Sequence, residues 1–414
     1  MKILVSAFAC SPYQGSEPGV GWTAVKLIAT DHEVFVICNE TAREPMERAM
    51  AEKLVPSNVR IRFAGRPLTS HANRTIARLQ SWNSYLEFTR RVLATAAEWH
   101  RQVEFDLCHQ VTLASFRVAS PLWRLPVPFV WGPLGGAGSV PPAFRSILSP
   151  TGRVFEKVRD LSTAMAIRSK SFKDCIRGAA VVIAANEETE CFLRPHRGSR
   201  PLIKLPIVSL SPEKIARFQH RISFPSDRGP LRLFGGGFLI GSKGVSLALR
   251  AVALAKRQGV DCHYTLAGGG PEIESLHALV RKLGLNSEVT FHPGYQNDDY
   301  IRALQAHHVY LLPSFREGTP VTMLEACLAG CYPVVADISA PGEIVRLVGG
   351  IAAKVDTQEG LVNELSDAIL WCARNQGELR DKADECGRRI ADHFSSANYR
   401  QVLNSTYELA GNAG

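Results

Sequence analysis

Two carboxylates eight positions apart stand out in the stretch SFREGTPVTMLEACLAG, residues 314–330. Every side chain between Glu317 and Glu325 is uncharged, and Arg316 directly precedes the first of them. Taken singly, Glu317 fits a residue that favours a helix start, and Glu325 fits a solvent-facing helix position. Taken together, they suggest ligand binding, because carboxylates accept paired hydrogen bonds from hydroxyl groups.

A helix start is predicted between these two glutamates. Thr319 is a suitable N-cap and Pro320 a suitable first helical residue. The backbone N–H groups of Val321 and Thr322 would then be available to a phosphate. A phosphate at a helix start with polyol hydroxyls on either side describes a nucleotide sugar, so the stretch predicts binding of such a donor.

A second candidate phosphate site lies in LRLFGGGFLIGSKGVSLALRA, residues 231–251. A strand pattern runs into three glycines at 235–237, and Lys243-Gly244 opens the next helix pattern. Glycines let the backbone approach a phosphate closely, and Lys243 would stabilise negative charge developing on a diphosphate. The P-loop pattern Gly-x-x-x-x-Gly-Lys-[Ser/Thr] is not met, because Lys243 is followed by Gly244 and then by valine, and not by Ser or Thr. The alternative is an exposed lysine at a helix start.

Three weaker signals accompany these sites. TLAGGGPE, residues 265–272, lacks the Gly-x-Gly-x-x-Gly fingerprint of dinucleotide-binding proteins. In YQGSEPGVGW the glycines Gly15, Gly19 and Gly21 follow the first strand pattern and would admit a diphosphate. His109, in FDLCHQVT, is expected at the carboxyl end of a strand, facing the ligand, although a lone histidine is as often structural.

The elements that must position these residues alternate between short apolar runs and helical patterns. Twelve strands are predicted: KILVSAF, EVFVIC, VRIRFA, FDLCHQ, VPFVWG, AAVVIAA, LRLFGG, DCHYTLAG, VTFHPG, VYLLP, YPVVAD and GGIAAKV. Nearly continuous apolar strands alternating with helices indicate parallel sheets covered on both faces. We therefore predict an α/β protein with two doubly wound Rossmann-like domains facing across a cleft, joined within residues 196–230, with ligands at the carboxyl ends of the strands.

Composition excludes several other classes. The chain has 414 residues, 45% hydrophobic and 21% charged, with a net charge of +9 but no Lys/Arg block typical of a nucleic-acid-binding arm. Its ten cysteines form no C-x-x-C pair, which argues against a zinc site and indicates reduced cytosolic thiols. The start MKILVSAFAC fits a first buried strand better than a short signal peptide. No run approaches the roughly 20 apolar residues of a spanning helix.

Two segments interrupt the alternation. Residues 71–102 read as a helix rich in aromatics and arginine, and residues 142–177 carry eight basic side chains against three acidic ones. Both segments are consistent with solvated helical insertions. The alternative is a patch for anionic lipid or for a lipid-linked acceptor.

These motifs together resemble GT-B fold glycosyltransferases of family 4, relatives of bacterial polysaccharide glycosyltransferases and of sucrose synthase. Glu317, Glu325, Gly330 and the following PVVAD match the family's most specific motif. SKGVSLALRA, LAGGGPE and EPGVGW agree in order and spacing. The resemblance implies a nucleotide-sugar donor (UDP, GDP or ADP type), retention of anomeric configuration, and no metal or other cofactor.

The resemblance also implies residue roles. Glu317 would contact the donor sugar, Glu325 the ribose hydroxyls and Lys243 the diphosphate, while His109 would lie near the sugar; Glu317, His109 and Lys243 form the expected catalytic set. Further donor contacts are expected from loop and helix-start positions: Gly19, Gly21, Gly237, Gly268, Tyr295, Arg316, Gly318, Thr319, Val321 and Thr322. Phe238 stands where the family often has an arginine, so Arg316 is a candidate substitute.

The domains are predicted at 1–205 for the acceptor, 206–395 for the nucleotide sugar, and 396–414 as a helix packing back on the first domain. The predicted activity is that of a metal-independent, retaining hexosyltransferase (EC 2.4) acting on a saccharide or lipid-linked acceptor in polysaccharide or glycolipid synthesis. Its predicted location is the cytoplasm, extending to the inner face of the membrane. A catalytically silent nucleotide-sugar binder is the main alternative, and a dehydrogenase is a weaker one.

Overall fold

The computed structural model describes residues 1–67, 74–219 and 229–412, with the side chains of residues 74–82 excluded. Parts of two segments singled out above, residues 71–73 and 220–228, therefore lie outside the described residues, as do the side chains of 74–82. Contacts divide the chain into two compact units, composed as follows: unit 1 of residues 1–137, 162–209 and 396–414, and unit 2 of residues 138–161 and 210–395.

Unit 1 contains a seven-stranded parallel sheet in the order β3-β2-β1-β4-β5-β6-β7. Its strands are β1 (Lys2–Ala7), β2 (Glu33–Asn39), β3 (Val59–Ala64), β4 (Leu107–Thr112), β5 (Phe129–Leu134), β6 (Val181–Ala184) and β7 (Leu202–Lys204). Strands β4 and β5 are buried at every position, as expected for a parallel sheet covered on both faces. The first six strands confirm the predictions. β7 was not predicted, because three residues in a Pro- and Arg-rich stretch carry no readable periodicity.

Helices surround this sheet, and the last helix of the chain is one of them. They are α1 (Ser16–Ile28), α2 (Arg43–Ala51), α3 (Arg74–Val103), α4 (Pro150–Arg168, which runs from unit 2 into unit 1), α5 (Lys170–Gly178), α6 (Glu187–Arg197) and, at the C-terminus, α15 (Ser396–Gly411). Tyr399, Leu403, Tyr407 and Ala410 of α15 are buried in the same core as β1 and β2. Residues 396–411 are thus part of unit 1.

Unit 2 contains a six-stranded parallel sheet in the order β10-β9-β8-β11-β12-β13. Its strands are β8 (Leu231–Gly236), β9 (Cys262–Ala267), β10 (Val289–His292), β11 (Val309–Leu312), β12 (Tyr332–Ala336) and β13 (Ile351–Ala353). Its helices are α7 (Pro212–Gln219), α8 (Val245–Arg257), α9 (Ile273–Leu283), α10 (Asn297–Gln305), α11 (Val321–Leu328), α12 (Ser339–Val348), α13 (Gln358–Arg374) and α14 (Gln376–His393). Short 3-10 turns occur at Glu40–Ala42, Leu122–Arg124, Pro142–Ile147 and Gly241–Lys243. All six strand predictions are confirmed.

The division differs from the predicted domains in two respects. Residues 138–161 were assigned to the first domain, but they belong to unit 2. The reason is hydrophobic packing: Val140, Phe144 and Leu148 are buried in the core formed by β8, β9 and α8. The main boundary falls after Ser209, whereas the sequence placed it after Leu205.

The strand order reverses at one point in each sheet, between β1 and β4 in unit 1 and between β8 and β11 in unit 2. In open parallel sheets, ligands bind outside the carboxyl ends of the strands at such a point. No group of three or more His, Cys, Asp or Glu side chains within the described ranges is placed to share a metal ion. No helix in the described part of the chain has the length and hydropathy to cross a bilayer.

Candidate functional site

The loops after β8 and β9 meet backbone to backbone. The N–H of Gly237 donates to the carbonyl of Ala267 over 2.7 Å. A side chain at Gly268, whose φ is +119°, would place its Cβ 2.2 Å from the Gly237 carbonyl oxygen. At Gly237, whose φ is +109°, an added Cβ would have no other atom within 4 Å. Glycine is therefore required for loop packing at Gly268, while at Gly237 it leaves open backbone at the carboxyl end of β8.

The loop after β11 lies against the loop after β8. The N–H of Phe315 donates to the Ser242 carbonyl over 2.9 Å, and a Cβ at Gly244 would sit 2.2 Å from the Pro313 carbonyl oxygen. These contacts place the ammonium of Lys243 in an ion pair with the carboxylate of Glu317. The Lys243 side chain is 23% exposed and the Glu317 side chain 13%. Two of the three predicted catalytic residues, 74 positions apart, thus meet at the β8/β11 reversal point.

A serine hydroxyl fixes the backbone at Glu317. Ser339 Oγ donates to the Glu317 carbonyl over 2.9 Å and lies 3.3 Å from the Glu317 amide nitrogen, from which it accepts. Ser339 begins α12 with φ at +56°, a left-handed conformation that normally favours glycine. It lies in the segment ISAPGE, residues 338–343, which follows PVVAD. The hydroxyl therefore supplies backbone contacts to Glu317 that glycine would lack.

The start of α11 differs from the prediction. Pro320, not Thr319, is the N-cap residue, and the helix begins at Val321. The N–H of Val321 donates to the Thr319 carbonyl over 2.9 Å, so this group is already used within the chain. The hydroxyl of Thr322 pairs with that of Tyr310 at 2.7 Å. Of the two N–H groups predicted to meet a phosphate, that of Val321 is thus already used, and the contact of the Thr322 N–H stays a prediction.

Glu325 lies just over one turn into α11. Lys214 of α7 holds its carboxylate, with 2.6 Å between Nζ and Oε1. Burial, followed by the negative charge of Glu325, raises the pKa of the nearby Tyr300 hydroxyl. Lys214 is a site residue that sequence reasoning missed, because nothing in its Pro- and Ser-rich surroundings distinguishes it from a solvated lysine. Glu325 is 13% exposed and thus remains reachable by a ligand.

Arg316 is committed to an ion pair with Glu156 of α4. Glu156 is 3% exposed and also accepts the N–H of Val140 at 3.3 Å, while Arg316 is 19% exposed. The positive charge of Arg316 is therefore balanced within unit 2. Phe238, where the resembling family often has an arginine, is 43% exposed. Lys243 is also paired with a carboxylate, but it differs from Arg316 in following the open backbone of Gly237 in the loop after β8.

Removing Arg316 is expected to destabilise the protein. In Arg316→Ala, the carboxylate of Glu156 would remain buried without its cation, a loss of about 3 kcal/mol in the free energy of unfolding. Urea unfolding measures this loss, and Arg316→Ala with Glu156→Gln should recover part of it. Arg389→Ala, which breaks an exposed pair with Glu385, is the matched control and should have little effect. Equal stability of Arg316→Ala and Arg389→Ala would contradict the expectation.

Tyr295 follows β10 and forms a flat aromatic pair with His292. The ring centroids lie 3.7 Å apart and the planes are 1° from parallel. Burial raises the pKa of the Tyr295 hydroxyl. The N–H of Gly268 donates to the His292 carbonyl over 2.8 Å, which ties the end of β10 to the loop after β9. An aromatic surface beside the glycine loops is suited to stacking with a nucleotide base.

The predicted position of His109 is wrong. The residue lies within β4, is 1% exposed, and uses both ring nitrogens inside unit 1. Nδ1 is 2.8 Å from the Tyr407 hydroxyl, and Nε2 is 2.7 Å from the Gly132 carbonyl. Because a carbonyl only accepts, Nε2 carries the proton and Nδ1 accepts from Tyr407. His109 therefore joins β4 to α15, with both ring nitrogens engaged inside unit 1.

His109 should make stability depend on pH. Burial lowers its pKa from 6.5 to about 4, so the unfolded chain binds the proton more readily between these values. Stability is then highest above pH 6.5 and falls as the pH drops, by roughly 2 to 3 kcal/mol at pH 4.5. Urea unfolding at pH 7 and 4.5 should show a smaller drop in His109→Gln than in wild type. An identical drop in both proteins would exclude this contribution.

Gly19 and Gly21 lie within α1, where packing explains their small size. A Cβ at Gly21 would sit 2.1 Å from the Ala9 carbonyl oxygen, and one at Gly19 would sit 2.7 Å from that of Gln14. The helix thus approaches the loop after β1 more closely than a side chain would allow. Their expected donor contacts remain a prediction.

Glu17 is a second residue that sequence reasoning missed. It lies in the first turn of α1, and its carboxylate accepts the N–H of Ala114 over 2.7 Å. At the same end of β4, Thr112 Oγ1 accepts the N–H of Ala9 and donates to the Ala9 carbonyl. Burial raises the pKa of the Glu17 carboxyl. A partly buried carboxylate thus occupies the β1/β4 reversal point, and an acidic residue flanked by glycines was the available signal.

Part of the chain is similar in sequence to known proteins. Residues 219–390 match the family model for glycosyl transferases group 1. The putative colanic acid biosynthesis glycosyltransferase WcaL of Salmonella typhimurium is 32% identical over 151 residues, 33% of this chain and 36% of the relative. The D-inositol 3-phosphate glycosyltransferase of Mycobacterium marinum is 31% identical over 182 residues, 41% of this chain and 36% of the relative. The matches span about a third of the length of these curated relatives.

Solved structures resemble the whole chain. Anabaena HepE in complex with UDP and glucose has a TM-score of 0.59 at 17% identity, covering 99% of each chain. The lipopolysaccharide outer core galactosyltransferase WaaB has a TM-score of 0.62 at 17% identity, covering 98% of each chain. At these identities the likeness establishes the fold. The chain therefore has the GT-B fold of these glycosyltransferases, and its residues 219–390 match glycosyl transferases group 1.

Proposed function

We propose that this protein is a retaining glycosyltransferase of family 4 type that moves a hexose from a nucleotide sugar to a saccharide or lipid-linked acceptor in polysaccharide or glycolipid synthesis. The observation that carries the proposal is the meeting of Lys243 and Glu317 beside the open backbone of Gly237 at the β8/β11 reversal point. This arrangement offers a cation and backbone to a diphosphate, and a carboxylate to sugar hydroxyls, within a single site.

The relatives support the choice of substrates. HepE is solved with UDP and with UDP-glucose, and the names of WcaL and of the Erwinia amylovora relative refer to colanic acid and amylovoran biosynthesis. We therefore propose a UDP-hexose as donor and a growing polysaccharide or its lipid-linked precursor as acceptor. The stacked pair of Tyr295 and His292 would hold the base, and Glu325 would hold the ribose hydroxyls.

The proposed transfer is the same-face displacement that the resemblance to family 4 implies. The bond between the anomeric carbon and the leaving phosphate oxygen breaks, and the acceptor oxygen bonds to the same face of that carbon. The acceptor proton passes to the departing diphosphate. Lys243 has three N–H donors, so it can keep its bond to Glu317 and still stabilise the charge that develops on the diphosphate. Because Lys243 supplies this charge, we propose that no metal is needed and that chelators leave the activity intact.

A ligand screen tests the choice of donor. Thermal unfolding with UDP-, GDP-, ADP- and TDP-hexoses should show the largest stabilisation with a UDP sugar, about 2.7 kcal/mol at 100 times the Kd. The Glu325→Gln variant should require more ligand for the same stabilisation. No stabilisation by any nucleotide sugar would reject the proposed function.

Glu17 is expected to act on the acceptor side of the reaction. Its carboxylate lies at the reversal point of unit 1, in the domain proposed to bind acceptor. Glu17→Gln should lower kcat/KM for the acceptor by on the order of tenfold, through loss of one charge-assisted hydrogen bond to a hydroxyl. UDP binding measured by calorimetry should stay unchanged. Weakened UDP binding with intact use of acceptor would assign Glu17 to the donor instead.

A further inference from the structure

The outward face of α4 is apolar. Val154, Val158, Leu161 and Met165 are exposed by 62%, 59%, 61% and 64%. Their spacing of four, three and four residues places them on one side of the helix, and we call them the α4 stripe. Among the described residues twelve large apolar side chains are exposed, and five of these lie on α4. Such a concentration on one helix indicates an interaction surface, since exposed apolar residues are normally scattered.

The opposite face of α4 is firmly attached to unit 2. Glu156 is buried against Arg316, and Asp160 pairs with Arg145 at 2.7 Å. Arg159 donates to the Gly138 carbonyl over 2.7 Å. These contacts fix the rotation of the helix about its axis, so the α4 stripe is held towards solvent.

Basic side chains border the α4 stripe. Arg153 and Lys157, one turn apart, lie along one edge of the stripe, and Arg168 continues this edge at the end of the helix; all three are exposed. Both acidic residues of α4, Glu156 and Asp160, are already paired with arginines on the inward face. Exposed Lys170, Lys173 and Arg177 follow on α5. The surface is thus apolar in the centre and positively charged at its margin.

We propose that α4 docks this protein on the surface of an anionic lipid bilayer. The helix would lie parallel to the membrane, with the α4 stripe at the boundary between headgroups and acyl chains and the basic edge among the lipid phosphates. A second copy of the chain fits less well, because the two basic edges would add like charges to the interface. This inference goes beyond the proposed function, and it is tested without donor or acceptor.

Vesicle sedimentation tests the docking. At low salt the wild-type protein should pellet with phosphatidylcholine vesicles that contain phosphatidylglycerol, and only weakly with phosphatidylcholine alone. Val158→Glu with Leu161→Glu should lower the partition coefficient by more than about tenfold, because two apolar side chains that would insert into the bilayer are lost. Leu54→Glu, at a leucine of unit 1 that is also exposed (44%), is the control and should bind like wild type. Salt above about 0.1 M should weaken binding.

A second measurement reports insertion directly. In Leu161→Trp, the added fluorescence, taken as the difference from wild type, should shift to shorter wavelength with anionic vesicles and stay unchanged with neutral ones. Equal recovery with both kinds of vesicle, or undiminished binding of the double glutamate variant, would overturn the proposal. So would a dimer in sedimentation velocity that the double variant abolishes, since the α4 stripe would then bind a second copy.

Discussion

Lys243→Ala is expected to reduce turnover by on the order of 10² to 10³, while binding of the intact donor changes less. The loss follows from the proposed role: the ammonium meets negative charge that develops on the diphosphate only as the glycosidic bond breaks. Glu317 fixes the lysine at this place before the reaction, so little reorganisation is needed. Steady-state kinetics with a UDP-hexose donor, in which kcat and KM are determined separately, measures the effect.

Two variants make this result specific. Lys256→Ala removes a lysine that also pairs with a glutamate, Glu288, but lies at the far end of α8, and it should leave turnover unchanged. Arg316→Ala, assayed on protein shown to be folded, should reduce turnover less than Lys243→Ala, because Lys243 follows the open backbone of Gly237 whereas Arg316 is paired with the buried Glu156. The reverse order would show that Arg316 carries the charge that Phe238 cannot supply.

Glu317→Gln should lower kcat by on the order of 10² or more and leave UDP binding intact. The carboxylate is proposed to hold the hydroxyls of the sugar whose bonding changes in the transition state, and it also orients Lys243. An interaction that strengthens only in the transition state alters kcat, whereas one that is equal in both states alters KM. The effect is therefore predicted in kcat.

Glu325→Gln should show the opposite pattern, a raised donor KM and weaker UDP binding with kcat nearly unchanged. Its carboxylate, held by Lys214, is proposed to contact the ribose, which stays the same throughout the reaction. Glu288→Gln removes the charge of another lysine-paired glutamate and should leave UDP binding unaltered. Calorimetry with UDP compares the three variants without an acceptor. Loss of UDP affinity in Glu317→Gln with retention in Glu325→Gln would reverse the two assignments.

Sequence reasoning was sufficient for the strands and for the candidate site at the β8/β11 reversal point, where local pattern and topology carry the information. All twelve predicted strands exist. Because ligands bind at the carboxyl ends of parallel strands, Lys243 and Glu317 were both predicted to contact the donor there, and the structure places them in an ion pair. The missed partners have a common physical cause. Lys214, Glu156 and Ser339 reach the site only through tertiary contacts, and their local surroundings resemble those of ordinary surface residues.

His109 shows why strand ends mislead. The pattern FDLCHQ indicated a strand ending near Gln110, but β4 continues to Thr112. This extension places His109 in the middle of the strand, where its side chain meets Tyr407, 298 positions away. His109 was predicted to be functional because its hydrogen-bond partner is too far away in the sequence to be identified from the local pattern. Helix α4 was predicted as part of a basic helical insertion, with a patch for anionic lipid or a lipid-linked acceptor as the alternative. Its apolar stripe was not recognised, because the outward direction of these side chains depends on the buried Glu156.

Release of UDP from a UDP-hexose tests the central claim most directly. The assay needs no knowledge of the acceptor, because slow transfer to water also releases the nucleotide. Wild-type protein should release UDP at least about 10² times faster than the double variant Lys243→Ala, Glu317→Gln, since both groups act on the breaking bond. Equal release by the two proteins, with UDP still bound by wild type, would contradict the account and identify a nucleotide-sugar-binding protein without transferase activity.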